Sequence, residues 1–177
     1  MDNNLRSYYQ GLFEKHGISP QAVQHSSKED QYKRFKILSE HFQPNDSILD
    51  LGCGLGDFLI FLRANGFTGH YTGIDFVEDF TNYNVKVFSS DTNASFTSLN
   101  IYQDELPKGF DHTALSGVFN NVVRDNISFM ETVVRKMFDA ASVTTSFNMM
   151  STYVEYQSAE LFYYDPLDVF HFCKTQL

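Results

Sequence analysis

Three glycines and two acidic residues make up the stretch of this chain best suited to chemistry. Leu49-Asp50-Leu51-Gly52-Cys53-Gly54-Leu55-Gly56-Asp57 follows an apolar run and opens a helix-like segment, the setting that a nucleotide-binding turn requires. Glycine lets the backbone turn tightly and lets a ligand approach with no Cβ in the way. In an open parallel sheet such a crevice lies at the carboxyl ends of the strands. Two details set this turn apart from a dinucleotide site. The pattern G-x-G-x-x-G needs glycine at position 57, where Asp57 stands. Asp50 also lies just before the loop, where a carboxylate repels a pyrophosphate but suits a ligand with a cationic amino group.

S-adenosylmethionine has a sulfonium, an ammonium and no phosphate, so charge favours it over a nicotinamide dinucleotide. Asp75, 19 residues after Gly56, is placed to accept both ribose hydroxyls of an adenosine, a role an acid fills in dinucleotide enzymes too. Each feature alone has a plainer reading. A lone G-x-G-x-G is often just a turn, and an Asp near a strand end is often a helix cap. Their joint occurrence is what points to a ligand site.

The elements that must hold these residues can be read from periodicity. Leu5 to Lys15 is a Tyr-rich helical piece ending near Gly17. Ser26 to Phe42 reads as a helix with a Ser27/Asp30 capping pattern. A strand, turn and helix rhythm then repeats. Strands are expected at 47–51, 71–75, 96–101, 112–115 and 143–149, with helices at 57–65, 80–88, 127–141 and 166–174. In the helix at 127–141, Phe129, Val133, Met137 and Phe138 are expected on one side. Alternation of strands with helices predicts an α/β fold, a Rossmann-like doubly wound parallel sheet of about five strands with helices on both faces. The 177 residues make one domain, 1–177, with a helical N-terminal segment (1–43) before the core (44–177).

Composition excludes several function classes. Net charge is −9, from 22 acidic against 13 basic residues, which argues against nucleic acid partners and anionic membrane surfaces. Lys33, Arg34 and Lys36 cluster, but Glu29 and Asp30 precede them, as on a solvated helix face. Cys53 and Cys173 make neither a disulfide framework nor a metal site, and no metal is expected. The chain has no signal-like N-terminus and no apolar run near the roughly 20 residues of a membrane span. The cytoplasm is therefore expected. Eighteen Phe and ten Tyr without Trp suit a Phe-rich core or an aromatic cleft.

The residues from Ser47 to Asp75, Ile-Leu-Asp-Leu-Gly-Cys-Gly-Leu-Gly-Asp through Tyr-Thr-Gly-Ile-Asp, resemble motifs I and II of class I S-adenosylmethionine-dependent methyltransferases. Gly109-Phe110-Asp111 and Ser116-Gly117-Val118-Phe119-Asn120 resemble motif IV of an uncharacterised bacterial branch of that family. Phe147 to Tyr153, Tyr164-Asp165-Pro166 and Gln31-Tyr-Lys-Arg34-Phe35 resemble the same branch. The resemblance implies transfer of a methyl group to a small-molecule acceptor, with S-adenosylhomocysteine as product. It implies that Gly52, Cys53, Gly54 and Gly56 lie against the methionine moiety, beside Asp50, and that Asp75, with Phe76 next to it, holds the ribose. An acid usually meets the adenine amino group after the third strand; Asn100 stands there, with Ile101 as an apolar wall. Ser116 and Gly117 fall beside the methyl-transfer point, and Arg34 is either in reach of the cofactor carboxylate or a plain surface arginine. Asn120 is the candidate catalytic, substrate-side polar group, with a turn cap as its other reading. His112 reads as a strand residue rather than a base. Tyr8, Tyr9 and Phe13 form either a lid or a packed helix.

By the same resemblance, a class I chain continues into a sixth strand and an antiparallel seventh. This sequence lacks that hairpin, so a C-terminally truncated chain is expected, its sheet edge completed in a homo-oligomer or by a partner. The alternative function is a non-catalytic domain that binds the cofactor or its product.

Overall fold

Ile48, Leu49 and Leu51 are fully buried, which only a central strand covered on both faces can achieve. The computed structural model describes residues 3–17 and 28–177; the expected helix start at Ser26 and cap at Ser27 lie outside the described residues. Strand β1 (Ile48–Leu51) runs parallel to β2 (Tyr71–Asp75) on one side and β4 (Phe110–Leu115) on the other. Beyond them lie β3 (Ala94–Ser98) and β5 (Ala141–Phe147), giving the order β3-β2-β1-β4-β5 with every pairing parallel. The order reverses between β1 and β4, which opens a crevice at the carboxyl ends of those strands.

Helices α1 (Asn3–His16), α2 (Lys28–Leu38), α3 (Asp57–Ala64), α4 (Glu78–Val87), α5 (Asn126–Ala140) and α6 (Pro166–Gln176) complete the domain. Because strand side chains alternate, Leu49 and Leu51 point to one face and Ile48 and Asp50 to the other. The first face packs with Phe129, Val133 and Met137 of α5 and Phe172 of α6. The second packs with Phe35 of α2 and Phe58, Leu59 and Leu62 of α3; the Phe35 and Phe58 rings stack at 4.8 Å. A smaller cluster joins Leu55, Val77 and Phe80 to Tyr9 and Phe13 of α1, so α1 is packed as well as placed over the crevice.

Several boundaries differ from expectation for identifiable reasons. The strand expected at 96–101 ends at Ser98, because Asn100 accepts hydrogen bonds from the backbone of Tyr102 (3.1 Å) and Gln103 (3.4 Å). That local turn displaces further sheet pairing. Strand β5 starts directly at the end of α5, two residues before the expected start. On α5 the buried stripe contains Met130 and Val134, while Phe138 is half exposed; five residues past Val133, it has rotated off the stripe. Met150–Ser151 (β6) and Tyr163–Tyr164 (β7) form an unforeseen short parallel pair. Asp125 and Asp165 cap α5 and α6 by accepting from the backbone of Ser128 and Leu167. On α2, Lys33 pairs with Glu29 at 3.2 Å and Asp30 at 3.4 Å on an exposed face.

Candidate active site

The glycine turn is stitched to the neighbouring strand through its backbone. The amides of Gly52 and Cys53 both donate to the Ile74 carbonyl, at 2.7 and 3.0 Å, and the Gly54 amide donates to Asp75 Oδ2 at 3.0 Å. Gly52 has φ +77° and Gly56 φ +78°, a region that side chains rarely enter. A Cβ on Gly52 would collide with Val118 Cγ2. A Cβ on Gly56 would lie 2.6 Å from the Phe88 ring, so close helix packing accounts for that glycine.

Above the turn lies a cavity of about 390 Å³, within the range of about 300–1,000 Å³ typical of small-molecule sites. Of the residues expected at a site, Arg34, Asp50, Gly52, Cys53, Gly54, Asp75, Phe76, Ile101, Ser116, Gly117 and Asn120 all line it. Two of the expected residues stand apart. Gly56 lies behind the turn, and Asn100 folds away into its own loop, its amide nitrogen donating to Gln103 Oε1 at 3.1 Å. Tyr9, Gln31, Asp57, Phe80, Asn121, Ser158, Glu160 and Leu161 also line the cavity. Of these, Tyr9 and Gln31 sit in segments the sequence had singled out; the segment carrying Glu160 bore no signal of its own. His112 is remote from the cavity: its ring bonds Asp46 Oδ2 and Thr144 Oγ1, each at 2.7 Å, and stacks on Phe42 at 4.3 Å.

Burial sets the electrostatics. Asp50 is 2% exposed and accepts a hydrogen bond from the Tyr71 hydroxyl. Burial pushes its carboxyl up to about 7, the Tyr71 bond works against the rise, and nearby Asp75 adds to it. Burial likewise pushes Asp75 up to about 6, opposed by the backbone amides of Val77, Gly54 and Phe76. The Cys53 thiol is pushed well above its ordinary value, first by burial and then by the charges of Asp75 and Asp50; it stays protonated and is no nucleophile. Tyr9 is pushed up to about 12 by burial, while the Asn121 amide bonded to its hydroxyl at 2.9 Å pulls the other way.

Two carbonyl oxygens at this cavity lack partners. Gln31 Oε1 and Asn120 Oδ1 are buried without a hydrogen bond, and both residues line the cavity. A buried acceptor left unsatisfied costs about 1–3 kcal/mol, which a bound donor would recover. Arg34 is the cationic side chain among the lining residues, against four carboxylates, Asp50, Asp57, Asp75 and Glu160. Among the described residues, Arg34 has no ion-pair partner. The lining thus sets four carboxyl groups against one guanidinium.

Residues 24–152 match the model of a methyltransferase domain. The chain belongs to this methyltransferase family. The expected membership of the methyltransferase family is borne out by that match, and the expected Rossmann-like sheet by the five parallel strands. A provisionally named methyltransferase of Mycobacterium tuberculosis is 31% identical to the domain over 136 residues, covering 73% of this chain and 80% of the relative. Among solved structures, the magnesium protoporphyrin IX methyltransferase of Synechocystis, with S-adenosylhomocysteine bound, shares the fold at TM-score 0.61 and 13% identity. The match covers 94% of this chain and 81% of that one. A Rickettsia typhi protein in complex with S-adenosylhomocysteine shares the fold at TM-score 0.53 and 18% identity, over 62% of this methyltransferase domain. The domain spans 22% of that longer chain. Among the described residues, no helix is long and apolar enough to cross a membrane.

Proposed function

We propose that this domain transfers a methyl group from S-adenosylmethionine to a small-molecule acceptor. The observation that carries the reading is the lining of the cavity: buried carboxylates at the glycine turn, one arginine with no ion-pair partner among the described residues, and no room in the charge pattern for a pyrophosphate. When bound, the cofactor supplies a methyl group already activated on a cationic sulfur. In this reading Asp75 accepts from the ribose hydroxyls; its Oδ2 also accepts from the Gly54 amide and its Oδ1 from the Val77 amide, and a carboxylate has about four lone-pair sites to share. Asp50 and Gln31 Oε1 face the ammonium group, Arg34 pairs with the carboxylate, and Phe76 and Ile101 flank the adenine. Gly52 and Gly54 keep the turn open to the methionine moiety, and Ser116 and Gly117 border the reacting end. The rest of the protein's work is alignment and exclusion of water. Tyr9 and Leu161 also line the cavity and exclude water from it.

The same proposal places the protein in the cytoplasm, with its two cysteines free, away from nucleic acid because of its charge of −9. It pairs copies along the edge strand β5, where Val143 is 64% exposed. The test is calorimetric titration of S-adenosylhomocysteine into the chain, with Asp75→Ala as control. Micromolar affinity, about −8 kcal/mol, that collapses in the variant supports the reading. A folded chain that binds neither cofactor nor product sinks it. Binding without any methyl transfer would instead mark the alternative, a non-catalytic binding domain.

A further inference from the structure

The methyl acceptor has its own chemistry written into the same cavity. The backbone around Asn120 is held firmly: its amide donates to the Gly117 carbonyl at 3.2 Å, and its carbonyl accepts from Phe162 at 2.9 Å. An antiparallel bridge pairs Asn121 with Leu161, which ties the turn carrying Asn120 to the segment carrying Glu160. Asn120 Oδ1 is left buried without a donor, while Glu160 lines the cavity from an exposed position at its rim. An anionic acceptor would meet the carboxylates of this lining and be repelled. An alcohol holds its proton far more tightly than an ammonium and needs a stronger base than a carboxylate; among the described residues no histidine lines the cavity, and His112 is engaged elsewhere.

We propose that the acceptor is a small amine, with an N–H held by the side-chain carbonyl of Asn120 and its positive charge drawn in by Glu160. This rests on the methyltransferase reading above. The bound ammonium first gives one proton to the Glu160 carboxylate and on to water, and the neutral amine so formed carries its own lone pair. Its nitrogen forms the bond to the methyl carbon as the carbon–sulfur bond breaks, and that bond's electron pair returns to sulfur, leaving the neutral thioether. The alkylated nitrogen then carries one proton in excess, which passes to the Glu160 carboxylate and on to water. Asn120 orients the lone pair by accepting from one N–H, and Met150 and Leu161 give the carbon body of the amine an apolar wall.

The test uses the chain saturated with S-adenosylhomocysteine and three probes of matched size: benzylamine, benzyl alcohol and benzoate, titrated by NMR. Benzylamine is expected to bind at least ten-fold tighter than either other probe. Asn120→Leu and Glu160→Gln should each erase most of that preference while leaving affinity for S-adenosylhomocysteine within two-fold. Asn120→Asp, which keeps an acceptor and adds charge, should retain the preference and guards against misfolding as the cause of a loss. Equal or tighter binding of the alcohol or benzoate overturns the amine assignment. So does a preference that survives both substitutions, or no probe binding to a chain that holds S-adenosylhomocysteine. If S-adenosylhomocysteine itself fails to bind, the fault lies with the cofactor reading rather than with the choice of acceptor.

Discussion

Replacing Asp50 by Asn should make the ligand-free protein more stable and the ligand-bound protein weaker. The carboxyl is 2% exposed, and its pKa stands at about 7 against an ordinary 3.8. That gap, at about 1.4 kcal/mol per pH unit, amounts to about 4 kcal/mol of penalty for holding the charge. The sign follows from proton counts. Below about pH 4 both folded and unfolded chains hold the proton, and the penalty is absent. Between about pH 4 and 7 the unfolded chain releases its proton while the folded chain keeps it, so stability falls as pH rises. Above pH 7 the penalty is complete. Asparagine retains the shape and can still accept from the Tyr71 hydroxyl, so the variant should gain about 2–4 kcal/mol at pH 8. In a domain of this size that is roughly 5–15 °C in Tm. Urea unfolding of both proteins at pH 8 and pH 4 checks it: the difference should shrink to about 1 kcal/mol or less at pH 4. At pH 8 the variant should also bind S-adenosylmethionine about 10–100-fold more weakly, a loss of about 1.4–2.8 kcal/mol. A variant no more stable than the parent at pH 8, or an advantage independent of pH, would refute the reasoning.

The remaining predictions concern the turn and the rim. Gly56→Ala forces a side chain into positive φ and against Phe88, so it should cost about 2–4 kcal/mol in denaturant unfolding; the folded fraction should keep its affinity for S-adenosylhomocysteine, because residue 56 lies outside the cavity. Arg34→Gln should raise the Kd for S-adenosylmethionine about five- to ten-fold in calorimetry while unfolding stability stays within about 0.5 kcal/mol, since no ion pair is lost among the described residues. Asn100→Ala should lower stability by about 1 kcal/mol through loss of its turn hydrogen bonds, and leave S-adenosylhomocysteine affinity within two-fold.

Where the sequence spoke clearly, the signal was local. The turn from Leu49 to Asp57 announces itself because left-handed backbone demands glycine, and the residues that demand it are its own. The succession of β1, α3, β2 and α4 follows from periodicities within each segment, and it places Asp50 and Asp75 at neighbouring strand ends without reference to anything distant. The boundary at Asn100 was harder. Alternation from Phe96 onward favoured a longer strand, but the Asx turn to Tyr102 competes for the same backbone and wins. That competition folds Asn100 into its own loop, outside the cavity lining, whereas the resemblance implied a place for it beside adenine.

From the amino-acid sequence come the strand-turn-helix order, the glycine turn and the two carboxylates beside it, because backbone preference and side-chain periodicity act over a few residues. Tertiary structure decided what those residues experience. Asp50 is an ordinary aspartate until Tyr71 and the packing of the α2 and α3 face remove its water. Gly56 acquires its role only when Phe88 arrives across the fold. Asn120 and Glu160 line one cavity because Asn121 pairs with Leu161 and the Phe162 amide donates to the Asn120 carbonyl. Burial, desolvation and partners across the fold are properties of packing, and packing brings together residues whose own neighbours in the chain give no hint of the meeting.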